Sequence, residues 1–232
     1  MTQNGQGQCR KCDQCLKRKR RHWLGRLAAE AFYADHVRFV TLTYSDEHVG
    51  TAHGLPNDHM KEYFNTLRRR YAVKHFTVGE YGELKGRPHW HSIQFYYGSA
   101  PEFPLNFSTD NYGWKKGNSQ YEVPRSIAGS LSYLYDYLDK GGKGLRPSHG
   151  MGKQYLLNHS VMMARNKRAI TDDFGLPFTV PGVNKKTGGC WQYYIPSGHH
   201  FAATMVDAYI EEYLSVWGEH PDYDRLNKVK YG

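Results

Sequence analysis

The stretch that decides the reading is Phe76-Thr-Val-Gly-Glu80, the turn Tyr81 to Pro88, and the run His89-Trp-His-Ser-Ile-Gln-Phe-Tyr-Tyr97. β-Branched and aromatic residues fill both flanks, while two Gly and one Pro sit in the turn. The pair therefore reads as an antiparallel hairpin with an enlarged loop. Residues two apart on a strand share a face, so His89 and His91 project side by side with Trp90 opposite. Two imidazoles on one side of a rigid strand suit a divalent cation. Thirteen histidines in 232 residues make chance pairs common, so the spacing alone is weak. Glu80 strengthens it, because it ends the partner strand and can offer an oxygen from across the sheet. Glu83, in the loop, is the rival third donor. Arg87 adds a cation at the strand's entry, suited to a phosphate.

Working outward, Val37 to Tyr44 is β-branched and aromatic and reads as a strand. After a loop from Ser45 to Asn57, Asp58 can cap a helix whose Met60, Phe64, Leu67 and Tyr71 form one stripe, with Arg68, Arg69 and Arg70 on the other side. Gly98 to Pro124 reads as loop, with Trp114-Lys-Lys116 at its centre. A helix is expected from about Ser126 to Lys140, closed by Gly141-Gly142. Gln154 to Asn166 is expected to be helical, Val183 to Ile195 a hairpin, and Phe201 to Trp217 a last amphipathic helix. Strands and helices do not alternate as in a doubly wound fold, so the fold class is α+β, an antiparallel sheet with helices packed on it. The expected division is a basic N-terminal arm and helix (1–34), a core (35–145) and a C-terminal extension (146–232) packed on the core as one domain.

The helix near residue 133 carries the second chemical feature, Tyr133-Leu-Tyr-Asp-Tyr-Leu-Asp-Lys140. Tyr133, Tyr137 and Lys140 share one stripe by helical spacing. Ile127, Leu131, Leu134, Tyr135 and Leu138 form another, roughly 100° around the axis. An aliphatic anchor thus leaves a separate face with two phenols and an amine, whereas Tyr135 lies on the wrong side. A phenol ionises only near pH ~10, so it needs a cation to act as a nucleophile at neutral pH. A metal held by His89, His91 and Glu80 would orient a phosphodiester for in-line attack, and Lys140 would stabilise the developing charge.

The formal net charge is +9, and residues 1–26 contribute +7 of it. Lys17, Arg18, Lys19, Arg20 and Arg21 are the densest run, which favours a polyanion through counterion release. Cys9, Cys12 and Cys15 recur at three-residue spacing, a set that could hold Zn²⁺ if a fourth ligand joined them; reduced structural thiols are the alternative. No apolar run approaches the roughly 20 residues of a membrane span, and the N-terminus lacks a signal peptide's apolar region. The expectation is a soluble intracellular protein.

These segments together resemble the HUH endonuclease superfamily, and within it the replication initiators of gokushovirus-type microviruses. The matching segments are Cys12-Asp-Gln-Cys15 with the basic run and Trp23, Phe39-Val-Thr-Leu-Thr-Tyr44, Val78-Gly-Glu-Tyr-Gly82, Arg87-Pro-His-Trp-His91, Tyr133 to Lys140, and Pro147 to Gly152. They run in the family's order across roughly residues 9 to 152. The resemblance implies a five-stranded antiparallel sheet with the histidines on a central strand, Mg²⁺ or Mn²⁺ on His89, His91 and Glu80, and Tyr133 and Tyr137 as nucleophiles. It implies nicking and rejoining of single-stranded DNA at an origin through a 5′-phosphotyrosine, for rolling-circle replication of a circular phage genome. The setting would be the cytoplasm of a bacterial host, with host replication proteins as further partners and no membrane. A plasmid initiator, relaxase or transposase would share this chemistry. A non-catalytic single-strand binding protein would use the tyrosines only to stack on bases, and a metallohydrolase attacking with water would leave no protein–DNA adduct.

Overall fold

A computed structural model describes residues 12–82, 86–102, 113–124, 126–139, 142–144, 147–172, 175–181 and 190–232. In chain order the elements are α1 (Asp13–Tyr33), β1 (His36–Tyr44), a 3-10 turn (Val49–Ala52), α2 (Asn57–Arg68), β2 (Ala72–Tyr81), β3 (Pro88–Tyr97) and β4 (Gly117–Glu122). They continue with α3 (Ile127–Asp139), β5 (Lys143–Gly144), α4 (Lys153–Arg165), β6 (Leu176–Val180), β7 (Trp191–Ile195), α5 (His200–Trp217) and α6 (Tyr223–Tyr231). Contacts group the chain into two compact units, Tyr33–Met151 and the pairing of Met1–Phe32 with Gly152–Gly232.

The Tyr33–Met151 unit is built on a five-stranded sheet of order β4-β1-β3-β2-β5, antiparallel at each pairing. The expected α+β class, its five-stranded antiparallel sheet and its helical extensions at both ends are what the structure has. β3 is central, and its pleat divides the sheet chemically. Trp90 and Tyr96 point to one face, where they join Val40, Leu42, Tyr44 and Tyr121 against Met60, Tyr63, Phe64 and Leu67 of α2. The apolar stripe of α2 is thus the one its spacing predicts. Trp90 is fully buried, and its indole N–H donates to the Tyr44 hydroxyl at 3.0 Å. Gly79 stands directly across from it in the ladder. A Cβ there would meet the Trp90 ring at 2.8 Å and Leu55 at 3.0 Å, so the glycine makes room for the indole.

The opposite face carries Phe39, Thr41 and Thr43 of β1, Phe76, Val78 and Glu80 of β2, and His89, His91 and Ile93 of β3, as the ladder pairings require. α3 lies on this face. Tyr135 stacks on Phe76 with ring centroids 6.2 Å apart and planes 12° from parallel, and Leu134 is fully buried. Tyr135 is therefore a packing residue.

Three elements depart from expectation. β4 falls inside the stretch expected to be loop. Only Ser119 and Tyr121 point inward from it, so an edge strand with one large apolar residue carries too little alternation to stand out. The C-terminal hairpin joins β6 to β7, so its first strand lies upstream of the expected Val183. α6 was not expected; Asp222 caps it by accepting from the Arg225 N–H at 3.1 Å.

In the second unit, Ala29 of α1 packs with Leu156, Phe178, Ile195, Met205, Val206 and Leu226 from α4, β6, β7, α5 and α6. The Arg26 guanidinium lies 4.2 Å from the Trp23 ring centroid and 4.5 Å from that of Phe201. The Glu30 carboxylate accepts from the Gly152 N–H at the start of α4.

Two consequences can be measured. Gly79→Ala is expected to destabilise the fold by about 1–3 kcal/mol in urea titrations, because the added methyl overpacks the Trp90 ring; unchanged stability would contradict this packing. His75, 5 % exposed, stacks on Phe64, and burial first and Arg68 second push its imidazole down to about 3. Between pH 6.5 and about 3 the unfolded chain takes up a proton here that the folded chain refuses. The contribution is thus complete above pH 6.5 and is lost, at up to about 1.4 kcal/mol per pH unit, as the pH falls. His75→Phe is expected to flatten the dependence of urea stability on pH between about 6.5 and 5 relative to wild type. Parallel profiles would contradict the assignment.

Candidate metal centre and tyrosine helix

The ladder places Glu80 of β2 directly across from His89 of β3, and His91 is two residues further on the same face. The Glu80 Oε1 atom is 2.6 Å from the His89 Nε2 and 3.0 Å from the His91 Nε2. Among the described residues these three form a group of His, Cys, Asp or Glu whose donor atoms lie within 4.8 Å of one another. Glu83 lies outside the described residues.

The outer hydrogen bonds decide what this group can hold. His89 Nδ1 is 3.0 Å from the carbonyl of Arg87, which can only accept, so in the neutral ring this nitrogen carries the proton. His91 Nδ1 is 3.1 Å from the Thr41 hydroxyl. Burial lowers the His91 pKa below its ordinary value, while the bond to Glu80 pulls it upward. With both Nδ1 atoms protonated, two Nε2 lone pairs and a carboxylate converge on one point. Three lone pairs facing each other repel unless a cation or protons lie between them, and cis ligands of an octahedral ion with bonds of about 2.1 Å are themselves about 3 Å apart. The donor set therefore fits a divalent metal, and two imidazoles with one carboxylate suit Mn²⁺ as well as or better than Mg²⁺.

α3 brings Tyr133 to this centre. Its ring centroid lies 5.6 Å from that of His91 and 5.8 Å from that of Phe39, both edge-on, and the residue is 44 % exposed. Tyr137 is one turn further along α3; its side chain, like the whole of Lys140, lies outside the described residues. A groove of about 860 Å³ runs beside Tyr133 between α3 and the β1–β4 edge.

Other expected residues fall elsewhere. The Arg87 guanidinium donates to the Tyr44 carbonyl at 2.8 Å and pairs with Asp46, tying the entry of β3 to the exit of β1. Lys17, Arg18, Lys19 and Arg21 are exposed and Arg20 half-buried on α1, in the unit with Gly152–Gly232. Arg21 donates to the Gln192 carbonyl at 3.2 Å. Cys9 lies outside the described residues, Cys12 is exposed and Cys15 is half-buried in the first turn of α1. Ser148, after α3, accepts from the His75 N–H at 2.9 Å through its hydroxyl, while its own N–H donates to the His75 carbonyl at 3.1 Å. Thr41 was missed in the sequence; its only signal is alternation with buried Val40 and Leu42 on β1.

Residues 37–142 match the replication-associated protein ORF2 family. Replication-associated protein ORF4 of Chlamydia phage 1 is 28% identical over 205 residues, covering 73% of this chain and 51% of that protein. Replication-associated protein ORF2 of Spiroplasma virus 4 is 36% identical over 124 residues, covering 49% of this chain and 37% of the relative. Replication-associated protein VP4 of Bdellovibrio phage phiMH2K is 32% identical over 96 residues, covering 38% and 30% respectively. The matches span about half the length of these curated relatives or less. No solved structure matches the chain. The resemblance to microvirus replication initiators is borne out by these likenesses.

Thr41 gives the centre a specific test. Thr41→Val removes the hydroxyl that faces His91 Nδ1, and Mn²⁺ affinity measured by calorimetry is expected to fall about 10- to 100-fold. Thr41→Ser restores the hydroxyl and should recover most of it. Equal affinity in all three proteins would show that Thr41 does not set the ring.

Proposed function

We propose that this chain is an HUH-type replication initiator, which nicks and rejoins single-stranded DNA at an origin by tyrosine attack during rolling-circle replication of a circular phage genome. The observation that carries the reading is the position of Tyr133, an exposed phenol on α3 whose ring lies against His91 of the Glu80–His89–His91 group. Mg²⁺ or Mn²⁺ held by those three residues would supply Lewis-acid stabilisation of the phosphodiester undergoing attack.

The chain's own residues account for the rest. α3 is anchored by Leu134 and the Tyr135–Phe76 stack, so Tyr133 is presented at one fixed place above the sheet. A held nucleophile replaces a bimolecular encounter, the main entropic gain available here. The Tyr133 oxygen attacks phosphorus, the bond to the 3′ oxygen breaks, and the phenolic proton ends on that oxygen. The products are a 5′-phosphotyrosine and a free 3′-OH. The link conserves the bond's free energy, so attack by a 3′-OH on the phosphotyrosine rejoins the strand and regenerates the phenol. Tyr137, one turn along, is suited to a second transfer, with Lys140 stabilising charge. The exposed basic run of α1 grips the phosphates, and the site of action is the bacterial cytoplasm. Among the described residues no helix is long and apolar enough to cross a membrane.

The test is a denaturing gel of protein incubated with end-labelled, origin-bearing single-stranded DNA and Mn²⁺. Label should migrate with protein, and EDTA should abolish the adduct. Tyr133→Phe is expected to reduce the first adduct by at least about 100-fold, as loss of a covalent nucleophile does. Adduct that persists in the Tyr133→Phe, Tyr137→Phe double variant, or that never forms, overturns the reading.

A further inference from the structure

We infer that the groove beside Tyr133 is a base-reading subsite, in which Gln120 and Glu122 select a nucleobase bearing an exocyclic amine and reject thymine. The inference rests on the proposed function, since it takes the sheet face around His91 as the place where single-stranded DNA lies.

The groove holds about 860 Å³ and is lined by Phe39, Gln120, Glu122, Pro124, Ser130 and Tyr133, among others. That is ample for one nucleotide. The ladder fixes the geometry of its floor. Phe39 of β1 is paired with Glu122 of β4, and Thr41 with Gln120, so all four side chains stand on the same face as His91. Directly opposed residues have Cβ atoms about 5 Å apart. A base stacked on the half-buried Phe39 ring would therefore turn one edge towards Glu122 and Gln120. Exposed aromatic rings are the general platform for unpaired bases, whose Watson–Crick edges are free to be read.

The donor and acceptor pattern then chooses among the bases. Gln120 Nε2 donates to Glu122 Oε1 at 2.7 Å. This bond uses one amide N–H and leaves the Gln120 carbonyl and the second carboxylate oxygen as acceptors. An acceptor-rich edge matches the amino group of cytosine or adenine, or the N1–H and amino group of guanine. Thymine opposes it with two carbonyls around a single N–H. Charge argues in the same direction. A carboxylate in a groove meant for a polyanion repels the backbone, so its gain has to come from a base edge. In a chain of net charge +9, an acid placed beside the candidate nucleophile is suited to selection rather than to grip.

The experiment uses the full chain in EDTA, where no cleavage occurs. Octamers of dC and of dT compete for a fluorescent mixed-sequence single strand; these two bases differ little in stacking and sharply in their edges. Wild type is expected to bind oligo-dC about tenfold or more tighter than oligo-dT, the discrimination of one good side-chain-to-base pair. Glu122→Gln and Gln120→Ala, both on the exposed edge strand, are each expected to bring the ratio close to one, chiefly by weakening oligo-dC. Equal binding of the two octamers by wild type overturns the inference, as does a ratio unchanged in both variants. The adduct gel separates the two failures. An adduct without base discrimination removes this subsite and leaves the nickase intact, whereas no adduct and no single-strand binding removes the nickase and the subsite with it.

Discussion

The strict alternation of β3 is the constraint on which the Tyr33–Met151 unit depends. β3 is bonded to β1 on one side and β2 on the other, so its residues have ladder neighbours on both flanks. Trp90 goes to the α2 face and is fully buried, and its neighbours His89 and His91 must then go to the other. A slip of one residue would bury two imidazoles against α2 and strand the indole on the face of α3, so the register carries a large penalty for error. Packing on one face thus fixes chemistry on the other. Gly79, Tyr44 and the Tyr63–Tyr121 hydroxyl pair, 2.7 Å apart, all belong to the buried side, yet they determine where the histidines stand.

The same logic sets the quality of the centre. A donor group on a flexible loop would lose conformational entropy on binding an ion, but here all three donors sit on paired strands. Thr41 and the Arg87 carbonyl hold the two rings by their Nδ1 atoms, and Arg87 is itself held by the Tyr44 carbonyl and Asp46. The cation at position 87 thus has a structural occupation, which its sequence position beside Pro88 does not disclose.

Much of this was legible from residues alone, and what was not has a physical cause. The hairpin, the strand at Val37 to Tyr44, the stripe of α2 and the two-sided tyrosine helix all announce themselves because large apolar residues recur at the period of the element. Glu80 was legible because a hairpin closes locally, so its register follows from the turn. β4 was not, because an edge strand facing solvent needs few apolar residues, and its partner β1 lies far upstream in the chain. Gln120 and Glu122 were hidden with it. β6 escaped because a long connection to its partner loosens the link between turn and register.

α1 shows a different way for a sequence to mislead. Its spacing suggests a helix with an apolar stripe through Trp23, Leu24, Leu27, Ala28 and Ala31, yet its buried residues are His22, Gly25, Arg26, Leu27, Ala29 and Glu30. Three polar side chains go inside, two of them with dedicated partners. Arg26 lies between two aromatic rings, its pKa pushed down to about 10 by burial against the pull of Glu30, and Glu30 caps the N–H of Gly152. Phe201 and Gly152 lie far along the chain from α1, so no local pattern reveals them. The helix is consequently divided along its length rather than by face: residues 13–21 are exposed or half-buried throughout, and burial begins at His22. A basic segment standing clear of the packed half meets phosphates from several directions, and its grip falls with salt rather than with sequence. Affinity from such a rod and selectivity from the sheet face would then be separate properties of the chain, residing in different units and open to change one at a time.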